Sequence, residues 1–237
     1  MNDWFAFAGK NCTDFGIWVT ELPPVTIPKE RVTFDTVTGR SGTLARTEGK
    51  DIYDDSTLTI KCCLRDDADI AGAVNWLKGE GWLYLPNRPG MCAKARVCNM
   101  IELSRVIPGV RFHEFAVQMR VQPGWYHTDA EQINLRSPGT VFNPGTFYAQ
   151  PKVRIKGSGS FWVSFGIQRM DFTDIEEGVV LDCEMVEAFT YDEALLYNAN
   201  VDGQFWRLDP GYTVITWGVD DGSTLEKMEI IPRWRSL

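Results

Sequence analysis

Histidine is nearly missing from this chain of 237 residues: only His113 and His127 occur, in no HExxH or HxxxH spacing that would hold a metal. A GxSxG elbow is also missing, so a Ser-His-Asp or Cys-His set would rest on long-range proximity alone. The short stretch Gly157-Ser158-Gly159 precedes a strand-like run, not the helix that a phosphate cradle needs, and reads as a turn. No segment approaches the roughly 18 uninterrupted apolar residues of a membrane span, which predicts no membrane insertion. The first residues carry Asp3 early, with no basic cluster and no apolar run, which predicts a chain without an export signal. Positive charge is short too, with 24 Lys and Arg against 32 Asp and Glu, a net charge of −8. That balance excludes general electrostatic adhesion to nucleic acid or anionic membranes.

Zinc-type cysteine spacing is wanting. The cysteines are Cys12, Cys62, Cys63, Cys92, Cys98 and Cys183. Cys62 and Cys63 are adjacent in a strand-like run and should point to opposite faces. Cys92 and Cys98 are separated by five residues, outside the CxxC pattern. Reduced, largely buried thiols are expected in a cytosolic setting, with no metal and no cofactor.

What the chain does have is core-forming material. It is 44% hydrophobic and 24% charged, the proportions of a folded globular protein, and this excludes disorder as its main state. Its nine Trp are scattered through apolar runs, and packing or a subunit interface explains them better than a sugar platform.

Most of the sequence reads as strand. Phe115, Val117, Met119 and Val121 share one face of the run 114–121 by period-2 alternation. Similar short runs cover 153–155, 161–165, 179–183, 212–217 and 228–231, punctuated by Gly, Pro, Asn or Asp. Such regular short strands indicate a sandwich or barrel rather than parallel βαβ units. One segment differs: Ile70, Ala73, Val74 and Leu77 form a helical stripe, which predicts a helix near 67–79. Asp67 is its expected N-cap, Asp69 lies in its first turn, and Gly79 or Gly81 supplies the stop. A weaker helical pattern covers 191–197. The two Pro-Gly pairs in Ser137–Thr146 discourage helix and central strand, and place a domain boundary there, giving domains 1–137 and 138–237.

Carboxylates offer the one opening for catalysis. Asp182 and Glu184 lie two apart on a strand-like run, with Glu187 following, and paired acids can serve glycoside hydrolysis. In an acidic protein, a solvated outward face is the plainer meaning. No catalytic residue is expected.

Three passages carry a resemblance. They are Gly39-Arg40-Ser41-Gly42-Thr43-Leu44 with the later run Ser56–Lys61; Asn143-Pro144-Gly145-Thr146 leading into Ala149–Gly159; and the C-terminal Glu229–Leu237. In this order and spacing, the chain resembles the distal tail protein (Dit) family of siphophages and prophages over nearly its whole length. The resemblance implies a mainly β protein of two domains. The N-terminal one is a ring-forming β domain with one helix, and the C-terminal one is a galectin-like β-sandwich. It also implies a structural, non-enzymatic role at the virion tail tip, assembled in the bacterial host cytoplasm. A homo-hexameric ring would join the tail tube to the tail-associated lysin or spike protein and, as in many relatives, anchor receptor-binding proteins. DNA would pass through the lumen without specific binding. The polar, Gly-containing segment 33–57 fits an extended hairpin reaching a neighbour. The alternative reading is a galectin-like carbohydrate-binding protein acting in host adsorption.

Overall fold

The computed structural model describes residues 3–65, 68–102 and 113–237, the side chain of His113 excepted. They are mainly β, and they separate into one unit running to Trp125 with Leu237 added, and a second spanning Tyr126–Ser236.

The first unit holds β1 (Ala6–Phe7), β2 (Lys10–Asn11), β3 (Ile17–Glu21), β4 (Val32–Thr36), β5 (Thr43–Thr47), β6 (Ser56–Leu64), α1 (Ile70–Trp76), β7 (Glu80–Tyr84), β8 (Met91–Val97) and β9 (His113–Val121). Its main sheet has the order β2-β1-β7-β8-β9-β6-β3. The β6–β9 pairing spans the length of both strands, with Leu58 opposite Met119 and Ile60 opposite Val117. Alternation explains the register, because Leu58, Ile60, Cys62 and Leu64 share a buried face with Val117, Met119 and Val121. Phe115 packs at the rim of that core, only partly buried.

The helix is shorter than the periodicity predicts, and its phase differs. Asp69 is the N-cap, accepting from the Gly72 N–H at 2.9 Å, while Asp67 lies outside the described residues. Ala73, Trp76 and Leu77 are buried and Val74 is half exposed. The reason is Trp76, whose ring stacks between Phe5 and Phe15 at centroid distances of 5.3 and 4.7 Å. Its Nε1 donates to the Phe7 carbonyl at 2.6 Å, so one large side chain sets the helix rotation. Beyond the helix Gly79 adopts a left-handed φ of 73°, whereas Gly81 sits in β7.

The second unit contains β11 (Ile133–Leu135), β12 (Gly139–Asn143), β13 (Lys152–Phe165), β14 (Gln168–Ile175), β15 (Gly178–Asp182), β16 (Glu187–Thr190), β17 (Val201–Gly203), β18 (Gly211–Val219), β19 (Thr224–Ile231) and β20 (Arg235–Ser236). β20 pairs with β10 (Trp125–His127). One sheet runs β11-β19-β13-β15-β16 and the other β12-β18-β13-β14-β17, all antiparallel. This is a sandwich-type arrangement with β13 shared by both layers. Gly157-Ser158-Gly159 is therefore not a turn. It is the bend within one continuous strand, flanked by register shifts at Lys156/Gly157 and Gly159/Phe161. A Cβ at Gly157 would lie 2.3 Å from the Thr224 carbonyl oxygen, so the bend admits no side chain there.

Val153, Ile155, Leu181, Met228 and Ile230 of one sheet face Val163, Phe165, Met170, Phe172 and Ile215 of the other in a common core. Trp206 fills it, stacked on Phe165 at 4.2 Å. The Pro-Gly stretch lies inside this unit, with Gly139–Asn143 forming β12 beside β18. Residues 191–197 are not helical. They form turns and a bridge, Phe189 to Leu196, before a short 3-10 turn at Asn198–Asn200.

Candidate assembly surfaces

The first surface is the β4–β5 hairpin. Val32, Phe34 and Thr36 alternate with Thr33 and Asp35, and β5 reads Thr-Leu-Ala-Arg-Thr, so β-branched residues favour extended chain with little to bury. Gly39 and Gly42, both with φ of 81°, let the connecting loop reverse. The pairing runs from Val32 opposite Thr47 to Thr36 opposite Thr43. The base is tied by Arg31 N–H to Ile52 carbonyl and Asp54 N–H to Lys29 carbonyl, at 2.9 and 2.8 Å. Arg31 also bridges Asp54 at 3.0 Å and Glu48 at 3.4 Å. All five β5 residues are exposed, Phe34 is 65% exposed, and no other strand among the described residues pairs with this ribbon. An isolated two-stranded ribbon is at best marginally stable in water. The preceding extended segment adds exposed Val25 and Ile27.

The acidic pair that sequence singled out is held in an ion-pair cluster, with Asp182 buried and Glu184 partly so. Asp182 is 5% exposed. Arg233 donates to both its oxygens, at 2.7 and 2.8 Å, and the Glu184 and Met185 N–H groups donate to Oδ1. Glu184 accepts from the same guanidinium at 3.2 Å and from the Tyr126 hydroxyl at 2.8 Å. Burial alone would raise the Asp182 carboxyl's pKa; the Arg233 hydrogen bonds and charge, helped by the two backbone donors, outweigh it and hold the group below its ordinary value. Glu187 stands opposite Asp182 in the β15–β16 pair and takes no part in that cluster. The arrangement is a structural clasp between the C-terminal segment and the end of β15.

Arg235, missed in the sequence, makes a second tie. It is 7% exposed, donates to the Tyr148 carbonyl and the Gln150 amide oxygen, and lies against the rings of Tyr126, Phe147 and Tyr148. Its alternation with Arg233 in a short, otherwise apolar C-terminal stretch was the available signal.

Cys62 and Cys63 do point to opposite faces: Cys62 belongs to the core and Cys63 faces Trp18 across β3. The thiols are unpaired, with Cys98 exposed and the other cysteines buried. Burial drives the Cys62 thiol well above its ordinary pKa and raises Cys183 to about 12, so neither is a nucleophile at neutral pH. Among the described residues, no group of three or more His, Cys, Asp or Glu could hold a metal ion. Among the described residues, no helix is long and apolar enough to cross a membrane. Trp76, Trp125, Trp206 and Trp234 are buried, whereas Trp4, Trp18 and Trp82 are more than a third exposed. In the second unit, Tyr212 is 79% exposed beside Phe142, their ring centroids 4.8 Å apart.

No protein-family model matches the chain, and no curated protein matches it in sequence. Solved structures do match. The Dit protein of phage SPP1, described as a paradigm of the hub adsorption apparatus in phages infecting Gram-positive bacteria, is 13% identical. The match covers 97% of this chain and 98% of that one, with a TM-score of 0.72. The baseplate of phage P2 in its activated conformation matches at 8% identity over 97% of both chains, with TM-scores of 0.51 in the calcium form and 0.50 in the strontium form. Likeness over nearly the full length, from one end of the β-rich chain to the other, gives it the fold of the phage Dit and baseplate proteins.

Proposed function

We propose that this chain is a structural hub of a siphophage tail tip. Six copies close a ring that joins the tail tube to the tail-associated lysin or spike protein, and the second unit, as a galectin-like domain, offers a mount for receptor-binding proteins. The hub acts in the virion and is assembled in the host cytoplasm, with no catalysis of its own. The observation that carries this reading is the β4–β5 hairpin, a ribbon with exposed Phe34, Leu44 and Val37 and both edges unpaired among the described residues. Such edges are a liability unless covered, and a ring neighbour covers them in every copy at once. The excess of carboxylates suits a lumen through which DNA passes without adhering.

Replacing Phe34 with Asp tests the reading. The wild-type chain is expected to reach a closed multi-subunit mass in native mass spectrometry, and F34D to remain monomeric with the circular-dichroism spectrum of the folded wild type. An F34D chain that assembles like wild type would count against the hairpin's role.

The second reading, a carbohydrate-binding protein in host adsorption, is favoured by the exposed Tyr212–Phe142 pair, since open aromatic faces are what sugars stack on. Saturable glycan binding lost in Tyr212→Ala would support it. A flat titration with wild type would remove it.

A further inference from the structure

The face of the first unit's sheet turned away from its core carries a groove of about 450 Å³, lined in part by Asp55, Glu80, Trp82, Lys94, Arg96 and Arg120. All but Asp55, which precedes β6, alternate along β7, β8 and β9 with buried Leu83, Ala95 and Val121. Trp82 is 38% exposed and forms an aromatic wall, with the Lys94 ammonium 5.6 Å from its ring centroid. The strand register places Arg96 directly opposite Arg120 on one side and Glu80 on the other. Arg120 spends its Nε on Asp55, at 2.7 Å. Among the described residues, no ion pair or hydrogen bond engages the Arg96 guanidinium.

Like charges placed directly across two strands destabilise a sheet, and an anion seated between them reverses the sign. Three cations against two carboxylates also run opposite to the chain's net charge of −8. Trp and Arg together are the residue types that anchor protein interfaces.

We propose that this groove receives an acidic segment of a second copy of this chain, one carboxylate lying across Arg96 and Arg120 and the neighbouring side chain against Trp82. Charge complementarity selects this occupant, because the rest of the chain is acidic and the groove is cationic. The same complementarity sets two grooves against each other by repulsion. Contact of the groove with a different, acidic surface suits a heterologous interface, the kind that forms a ring where its rotation closes. This inference rests on the ring reading and assigns one of its contacts.

The test mixes unlabelled and ¹⁵N-labelled full-length chains and treats them with a carbodiimide, which joins a Lys amine to a carboxylate with loss of one water. Lys94 is expected to appear in cross-links between labelled and unlabelled copies. Arg96→Glu, on an exposed side chain and checked for fold by circular dichroism, is expected to weaken association at least tenfold and to flatten its salt dependence. Wild-type association in R96E, with no intermolecular link at Lys94, overturns the groove contact. If F34D is then monomeric, the ring reading stands without it. A wild-type chain monomeric at every concentration overturns both.

Discussion

At the scale of the residue, Arg233 is the most consequential side chain that alternation could not place. Period-2 reading put Asp182 and Glu184 on one outward strand face, but β15 ends at the buried Asp182 and Glu184 lies in the turn that follows; Arg233 of the C-terminal segment is what brings the two together. That depends on contacts across some fifty residues of sequence, and no local pattern records them. Removing Arg233 leaves a buried carboxylate without its partner, so Arg233→Met should destabilise the second unit by about 3 kcal/mol at neutral pH. Acid should narrow that gap. In the wild type, the Asp182 carboxyl titrates below its ordinary 3.8, so its contribution is fully present above that value and fades as pH falls through the lowered one. In R233M the same carboxyl has a raised pKa, and protonation relieves its burial. Chemical denaturation at pH 7 and pH 3.5 measures the difference, and an equal gap at both would contradict the clasp. Gly157 makes a simpler prediction. The Ala variant pushes a methyl onto the Thr224 carbonyl and should cost about 2 kcal/mol, read as a lowered denaturation midpoint.

At the scale of the element, alternation made several strands legible, while others such as β8 and β14 were not read. β9 and β18 contain the runs read from alternation, and the hairpin was legible from its Gly-flanked turn within a polar stretch. Two elements were misread besides the helical pattern at 191–197. The helix extent was overread because a stripe of Ile70, Ala73, Val74 and Leu77 ignores Trp76, whose stacking between Phe5 and Phe15 turns Val74 toward solvent. β13 was split in two because glycines usually end strands, whereas Gly157 and Gly159 bend a single strand from one sheet into the other. Trp76→Ala should therefore do more than shorten a helix. It removes a buried ring and a hydrogen bond, and a loss of about 4 kcal/mol is expected in thermal or urea unfolding. A loss under 1 kcal/mol would show that the helix packs loosely.

At the scale of the whole molecule, the sequence alone led to a mainly β chain resembling the Dit family, and the fold agrees with that resemblance over nearly the full length. Partners were not legible physically, because exposure and strand edges are properties of folded surfaces. The hairpin with its open edges, and the cationic groove on an acidic chain, emerge only once the strands are paired. Both are surfaces on which the proposed assembly rests. The central claim is assembly, and native mass spectrometry of the full-length protein, co-expressed with its neighbouring tail proteins and followed across concentration, tests it most directly. The account predicts a discrete species of six copies. A strict monomer under all those conditions would contradict it.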